Sequence, residues 1–388
     1  MIRTGLRLMG LVGLLLAAGC SSQNAPGPPE EQPTSAESAG PVPNVSGEVL
    51  RMGFFHGGRN MLLYRAWIDG WFDSAGLNVV LRATQQPQST DFYDMPRSAE
   101  ELTRLKKKPE TRYFGRTTGP TIVGEMVKGG LDCGMIGESS FLLAVDQKLP
   151  FTAIAKLGQD TREEPGKIVM VRANLNIESP DDLIGRSIGS RESGPYDRVM
   201  TREWILGQGL QLNQMTIIDQ IPQHRLKKQL HQQDLDLAFL HLHIASNVAS
   251  RGLYTAYPGF VFDFADPKLS QALLVCKNTV IAERRKELVR FIQVYKQRID
   301  HEQDLSRVER LQFQGDKTRG MELRTFKGLN LPQYDPVPVI DLELLRTMQG
   351  LLVKHDILQE RRPIEPMLDN ALVREALASL PERPPEAQ

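Results

Sequence analysis

Polar and charged side chains of the kinds that hold small solutes gather at four short turns. These are His56-Gly57-Gly58-Arg59-Asn60, Thr117-Thr118-Gly119, Glu138-Ser139-Ser140, and Arg191-Glu192-Ser193-Gly194 with Tyr196 just beyond. Each turn follows a run that reads as a strand or opens a segment that reads as a helix. In parallel sheets, ligands settle beyond the carboxyl ends of strands. The last three turns also place free backbone N–H groups and a hydroxyl at a helix N-terminus, where anions and polar oxygens are attracted. Taken singly, Thr118, Ser139 and Ser193 read equally well as plain helix caps. Taken together, they describe a site for a small polar solute carrying an anionic or oxygen-rich group. Arg59 and Arg191 would add charge-assisted bonds. Glu138 opposes an anion, so it either pairs with an arginine or meets the amine of a zwitterion. His241 and His243 stand two apart in a strand reading and would share one face. With His56 or Glu138 they could ligate a metal, but no third ligand lies at a local spacing, so no metal is assigned. A ligand contact or a structural role remains open for them.

Catalytic signatures are missing from the sequence. There is no Walker phosphate loop, no Gly-x-Ser-x-Gly elbow, no His-Glu-x-x-His and no paired-cysteine zinc spacing. No cofactor is expected, and the site reads as binding rather than catalytic.

The elements that must position these turns alternate between strand and helix. Val49–Phe55 reads as a strand, Met61–Phe72 as a helix with one apolar stripe, and Leu77–Leu81 as a second strand, which makes a βαβ unit. Thr118 can cap a helix with Pro120 in its first turn. Leu131–Ile136, Phe151–Leu157 and Lys167–Val171 read as strands, with a helix from Phe141 to Gln147. Ser179-Pro180-Asp181-Asp182 starts a short helix. Arg186–Gly189, Met215–Ile218 and Leu235–His243 read as strands, and Tyr196–Leu206 and Arg225–Gln232 as helices between them. Helical patterns close the chain at Asp341–His355 and Met367–Leu377. Such alternation predicts an α/β protein with helices layered on its sheets. Thr84–Arg116 is too long for an ordinary connection and reads as a solvated excursion, a lid or a docking surface.

Lys+Arg and Asp+Glu are equal at 47 each, so no net field points to nucleic acid. About 340 residues follow Val49, enough for two lobes rather than one core. Cys133 and Cys276 each lie in an apolar stretch. They read as two buried free thiols, or as a single disulfide in an oxidising compartment. At the front, Arg3 and Arg7 precede a short apolar run from Leu8 to Ala18, as in a secretory signal. Leu16-Ala17-Ala18-Gly19-Cys20 resembles a bacterial lipobox, which implies cleavage before Cys20 and lipidation of that cysteine, with palmitate among its acyl chains. The Pro-rich segment 20–47 has little apolar surface to bury and reads as a tether, reaching up to roughly 80 Å if extended. A periplasmic or cell-surface location, anchored to a membrane through Cys20, follows as the expectation.

Several segments resemble the solute-binding proteins of ABC importers in the nitrate, sulfonate, taurine and thiamine-precursor group. They are Ala75-Gly76-Leu77-Asn78-Val79, the run Met126–Ser140, Leu157-Gly158-Gln159-Asp160, Ile177–Arg186 with its Ser-Pro-Asp core, and Leu235-Asp236-Leu237-Ala238 followed by Ala249–Gly252. The resemblance implies a two-lobe periplasmic-binding-protein fold of type II with two crossovers. Lobe 1 would hold 48–170 and 258–388, and lobe 2 would hold 171–257, after a signal peptide at 1–19. It also implies a monomer that closes on a small solute and delivers it to an ABC permease and its ATPase. A lipoprotein sensor or a metal-binding protein reusing the fold is the alternative. A thiamine-pyrimidine-type enzyme is disfavoured, because that chemistry is cytosolic.

Overall fold

The computed structural model describes residues 47–380, apart from 56–57, 85–90, 96, 98–116, 161–165, 193, 258–269, 307–308 and 311–332. The signal segment, Cys20, the tether, His56, Ser193 and most of the Thr84–Arg116 connection therefore lie outside the described residues. Among the described residues, eleven strands form two mixed sheets. The first sheet contains β1 (Leu50–Gly53), β2 (Val79–Thr84), β3 (Phe92–Asp94), β4 (Cys133–Gly137) and β5 (Phe151–Asp160). The second contains β6 (Lys167–Arg172), β7 (Ser187–Arg191), β8 (Thr216–Ile221), β9 (Leu237–His241) and β10 (Tyr254–Ala256). The chain then returns to the first sheet with β11 (Ser270–Lys277).

The first sheet has the order β3-β2-β1-β4-β11-β5 and the second β10-β6-β9-β7-β8. β1 runs parallel to β2 and β4, while β11 lies antiparallel between β4 and β5. β7 runs parallel to β8 and β9, and β6 antiparallel to β9. The carboxyl ends of β1, β2, β4 and β5 thus share one edge of the first sheet, and those of β7, β8 and β9 share one edge of the second. The second sheet begins at Lys167 rather than at 171. The reason is the ladder from Lys167↔His241 to Val171↔Leu237, which commits all of β6 to the second sheet. The connections 161–165 and 258–269 between the sheets lie outside the described residues.

Helices cover both sheets, as the alternation requires. On one face of the first sheet, Met61–Ile68, Arg285–Gln303 and Asn370–Ala378 contribute Leu63, Phe291, Tyr295 and Val373 to one apolar cluster. Phe72 stacks on Phe291 at 4.5 Å between centroids. The expected single helix Met61–Phe72 is in fact two, Met61–Ile68 and Trp71–Ser74. Gly70, with φ 75°, breaks it, because that left-handed conformation cannot continue a helix. A second apolar cluster joins Phe141, Leu273 and Val275 of the first sheet's layers to Val169, Trp204 and Leu237 of the second's. The outer side of the second sheet packs on Gln223–Gln232 and Leu242–Ala249 through Leu226, Leu230, Ile244 and Val248.

Cys133 and Cys276 are joined in a disulfide, which corrects the reading of two free thiols. They face each other directly across the β4–β11 ladder, and both are fully buried. A sequence separation of 143 hides this adjacency. Among the described residues, no helix is long and apolar enough to cross a membrane.

Candidate functional site

Arg59 sits in a single 3₁₀ turn, Gly58–Asn60, at the carboxyl edge of the first sheet. Its backbone leans on β5 where Gly158 leaves room. A Cβ at Gly158 would stand 2.8 Å from the Arg59 carbonyl oxygen. From that turn, Arg59 Nη1 donates to Glu138 Oε2 at 3.3 Å, and its Nε lies 3.9 Å from Asp160 Oδ2. Glu138 opens the helix Glu138–Asp146, and Asp160 ends β5. Both acids are buried, at 1% and 5% exposure. Asp160 is pressed against the chain at Gly166, where a Cβ would come within 2.5 Å of its carboxylate oxygens.

The second sheet presents a matching group. Lys167 begins β6, and because β6 is antiparallel to β9 its first residue pairs with His241 at the carboxyl edge. Lys167 Nζ is ion-paired with Asp197 and stands 3.7 Å from the centre of the Tyr196 ring, a cation–π contact. Arg191, the last residue of β7, places its Nε 3.6 Å from the other Asp197 oxygen. Its guanidinium also donates to Nε2 of His241, which closes β9. Since arginine has no acceptor, that nitrogen must accept, and the ring carries its proton on Nδ1. Tyr196 and Asp197 lie in the first turn of the helix Pro195–Gly207.

Burial dominates the electrostatics. It pushes the Lys167 ammonium down to about 8, against the pull of Asp197, and Arg59 and Arg191 push it the same way as burial. Burial raises Glu138 above the usual carboxylate range. Arg59, its own amide and Lys167 oppose that shift, and Asp160 adds to it. Arg191 is lowered by burial against Asp197. Arg59 is raised, because Asp160 and Glu138 outweigh the burial that lowers it. These mutual influences place Arg59, Glu138 and Asp160 in one electrostatic neighbourhood with Lys167, Arg191 and Tyr196.

The structure brings Arg59, Glu138, Arg191, Tyr196 and His241 together and gives other residues more local tasks. Thr117 accepts the Thr84 amide at 2.8 Å and so ties β2 to the start of the next helix. Thr118 caps the helix Gly119–Lys128 in a capping box with Thr121. Asn60 is fully buried and donates to the Phe55 carbonyl at 3.4 Å. Ser139 and Ser140 lie within the first turn of Glu138–Asp146, which starts at Glu138 with Gly137 as its N-cap, not at Phe141. Ser140 faces Gly119, where a Cβ would come within 2.2 Å of its hydroxyl, and it lies near Gly194 of the second sheet's turn. The strand expected through His243 stops at His241, and a helix begins at Leu242. The two histidines therefore do not share a strand face. Among the described residues, no group of three or more His, Cys, Asp or Glu could hold a metal ion.

Lys167, Asp160 and Asp197 are the functional candidates that the sequence reading passed over. Asp160 and Asp197 carried a usable signal, since one ends a strand and the other follows Tyr196. Lys167 starts its strand, and only the antiparallel pairing brings it to the edge.

A family model described as NMT1/THI5 like matches residues 117–301. No curated protein matches the sequence. Among solved structures, the periplasmic aliphatic sulphonate binding protein SsuA from Escherichia coli superposes with a TM-score of 0.58 at 11% identity, covering 85% of this chain and 100% of that one. A zinc-bound ligand-binding component of an ABC-type import system from Staphylococcus aureus gives 0.62 at 9%, covering 85% and 99%. The desulfurization enzyme DSZB shares the architecture at 0.55 and 14%, covering 86% and 99%. At these identities the likeness establishes the fold, that of periplasmic binding proteins.

Proposed function

We propose that this chain, an NMT1/THI5-like protein with a periplasmic-binding-protein fold, is the extracytoplasmic solute-binding component of an ABC importer. One observation carries the reading. The carboxyl edges of both sheets deliver paired cations and acids into a single buried cluster, with Arg59, Glu138 and Asp160 from one side and Lys167, Arg191 and Asp197 from the other. Charges buried this deeply are costly unless they are paired or meet a ligand. A fold that spends its ligand edge on such a cluster is suited to a small, polar, charged solute. The solute is of the anionic or zwitterionic class to which the sulphonate ligand of the Escherichia coli neighbour belongs.

Binding rather than catalysis fits the cluster, whose charged groups neutralise one another, and the two cysteines of the body are bonded to each other. The partners that follow are a permease and its ATPase. The lipobox-like run ending at Cys20 adds a membrane anchor, with the Pro-rich tether setting the body's distance from the bilayer.

Native mass spectrometry of the exported body, followed by uptake assays in cells lacking the gene, tests the function. A co-purified small molecule whose uptake falls in the deletion strain is the expected result. A body that carries no solute, and whose loss leaves uptake of every tested polar solute intact, would defeat the proposal. For the anchor, Cys20→Ala should release the protein from the membrane fraction and abolish palmitate labelling. Unchanged membrane attachment, with no label in the wild type, would defeat that part.

A further inference from the structure

The helix Pro195–Gly207 belongs to the second sheet's side, yet part of it packs against the first. Its first turn carries Tyr196 and Asp197 at the charged edge. Further along, Glu203 and Trp204 meet the helix Leu342–Lys354. Glu203 Oε1 accepts from Nζ of Lys354 at 2.7 Å and from Nε2 of His355, the residue that caps that helix. Glu203 and His355 are both buried, at 6% and 7% exposure. A carboxylate oxygen only accepts, so Nε2 carries the imidazole proton and Nδ1 is the bare nitrogen. A second proton must therefore enter at Nδ1, inside the joint between the two sheets' layers.

We propose that His355 is a proton-binding site that ties this joint to the pH of its surroundings: proton uptake at Nδ1 loosens the contact between the two helices and frees the helix that carries Tyr196 and Asp197. The groups around the ring set the direction. Burial is the largest influence and lowers the proton affinity of His355. Glu203 opposes that shift, while Lys354 on its own helix and Arg202 on the facing helix add to it. Arg202 is itself held by Asp219 at 2.6 Å. The ring therefore takes a proton more readily in an opened joint, where water solvates it, than in a closed one. Below the ordinary imidazole value of about 6.5 the open form binds more protons, so acid favours opening. Above that value the ring is neutral in both forms and the joint holds. Trp204 lowers the cost of opening, because its buried indole N–H makes no hydrogen bond among the described residues and gains one when water enters. One consequence rests on the solute-binding reading above: acid should promote release of the solute.

The test follows the purified protein, dialysed free of solute, between about pH 8 and pH 5, the range in which histidine changes charge. Nuclear magnetic resonance of the His355 ring and small-angle scattering are read on the same samples. The expected result is a ring that titrates below the ordinary imidazole value and a radius of gyration that rises over the same interval. His355→Gln should lose the rise. Lys354→Met removes an exposed neighbouring cation, so it should move both transitions to higher pH, and it keeps the test decisive should His355→Gln fail to fold. A radius unchanged throughout, a rise that persists in His355→Gln, or transitions unmoved by Lys354→Met overturns the proposal. None of these outcomes touches the solute-binding reading, because the samples contain no solute.

Discussion

Lys167 holds its proton more weakly than an ordinary lysine, and two consequences follow at the scale of the residue. The free ammonium group titrates at about 8 rather than at 10.5. A bound anionic group favours the ammonium, so at pH above 8 binding must take up a proton, and affinity should fall as pH rises beyond that point. For stability the sign is opposite. Between about 8 and 10.5 the unfolded chain binds more protons than the folded one, so this residue's contribution to stability rises with pH across that window. Calorimetry of the co-purified solute between neutral and alkaline pH checks the first effect. Lys167→Gln should bind at least about fivefold more weakly at neutral pH and lose that alkaline decline. An identical pH profile in wild type and variant would remove Lys167 from the site. Arg59, Glu138, Arg191, Tyr196 and His241 were legible in the sequence because each lies in a turn or at a strand's carboxyl end, where one physical rule looks for ligands. Lys167 was not, because it starts its strand, and strand direction is fixed by pairing with the distant His241. Thr118 marks the limit of that rule: it caps its helix, and a capping hydroxyl and a ligand-binding hydroxyl occupy the same place in a sequence.

At the scale of the element, the βαβ rhythm, the parallel strands and most helices were legible from apolar periodicity. Three failures have separate causes. Gly70 interrupts an amphipathic stripe without disturbing its period. The apolar run in Ser270–Lys277 looks the same whether it is a buried strand or part of a helix. The strand through His241 meets a helix with no polar break to mark the change. Two elements carry testable strain or support. Gly158→Ala sets a Cβ 2.8 Å from the Arg59 carbonyl, so backbone must move. A loss of about 1–3 kcal/mol in stability is expected by chemical denaturation, together with weaker solute binding as Arg59 is displaced. A variant as stable as the wild type, with full affinity, would show that the turn yields freely. The disulfide joins the returning strand to β4 and closes a loop with a sequence separation of 143. Replacing both cysteines with alanine should lower stability by about 2–5 kcal/mol, chiefly by freeing the unfolded chain. Because both sulfurs are buried, reductant should act on the wild type only as it unfolds. Identical denaturation curves with and without both cysteines would mean the bond does not form.

At the scale of the whole molecule, the two sheets meet in a way that shapes how the protein can move. Trp204 and Val199 belong to the helix Pro195–Gly207 of the second sheet, yet they share an apolar cluster with Phe141 and Leu345 from helices on the first. Glu203 of the same helix takes Nζ of Lys354 at 2.7 Å and pairs with His355, both at the end of the helix Leu342–Lys354. Apolar contact, the Lys354 ion pair and the His355 hydrogen bond together make this the joint that resists separation. The charged cluster is different in kind: among the described residues, the ion pairs of Arg59 stay on the first sheet's side and those of Lys167 and Arg191 on the second's. Solvent and solute should therefore enter by opening at the charged edge, with the Trp204 and Glu203 side as the pivot. Gly194 lies where the second sheet's turn approaches the first sheet's layers: it has φ 100°, which side chains rarely adopt, and a Cβ added there would stand 3.5 Å from the Ser140 hydroxyl. Small-angle scattering of the body should show a smaller radius of gyration with the co-purified solute than without it. Gly194→Ala forces a side chain into that conformation beside Ser140, so its affinity should fall while the solute-free radius stays that of the wild type. A scattering profile unchanged at saturating solute would leave a rigid pocket in place of a hinge. The same measurement on Glu203→Gln, which weakens the pivot, should instead alter the solute-free profile.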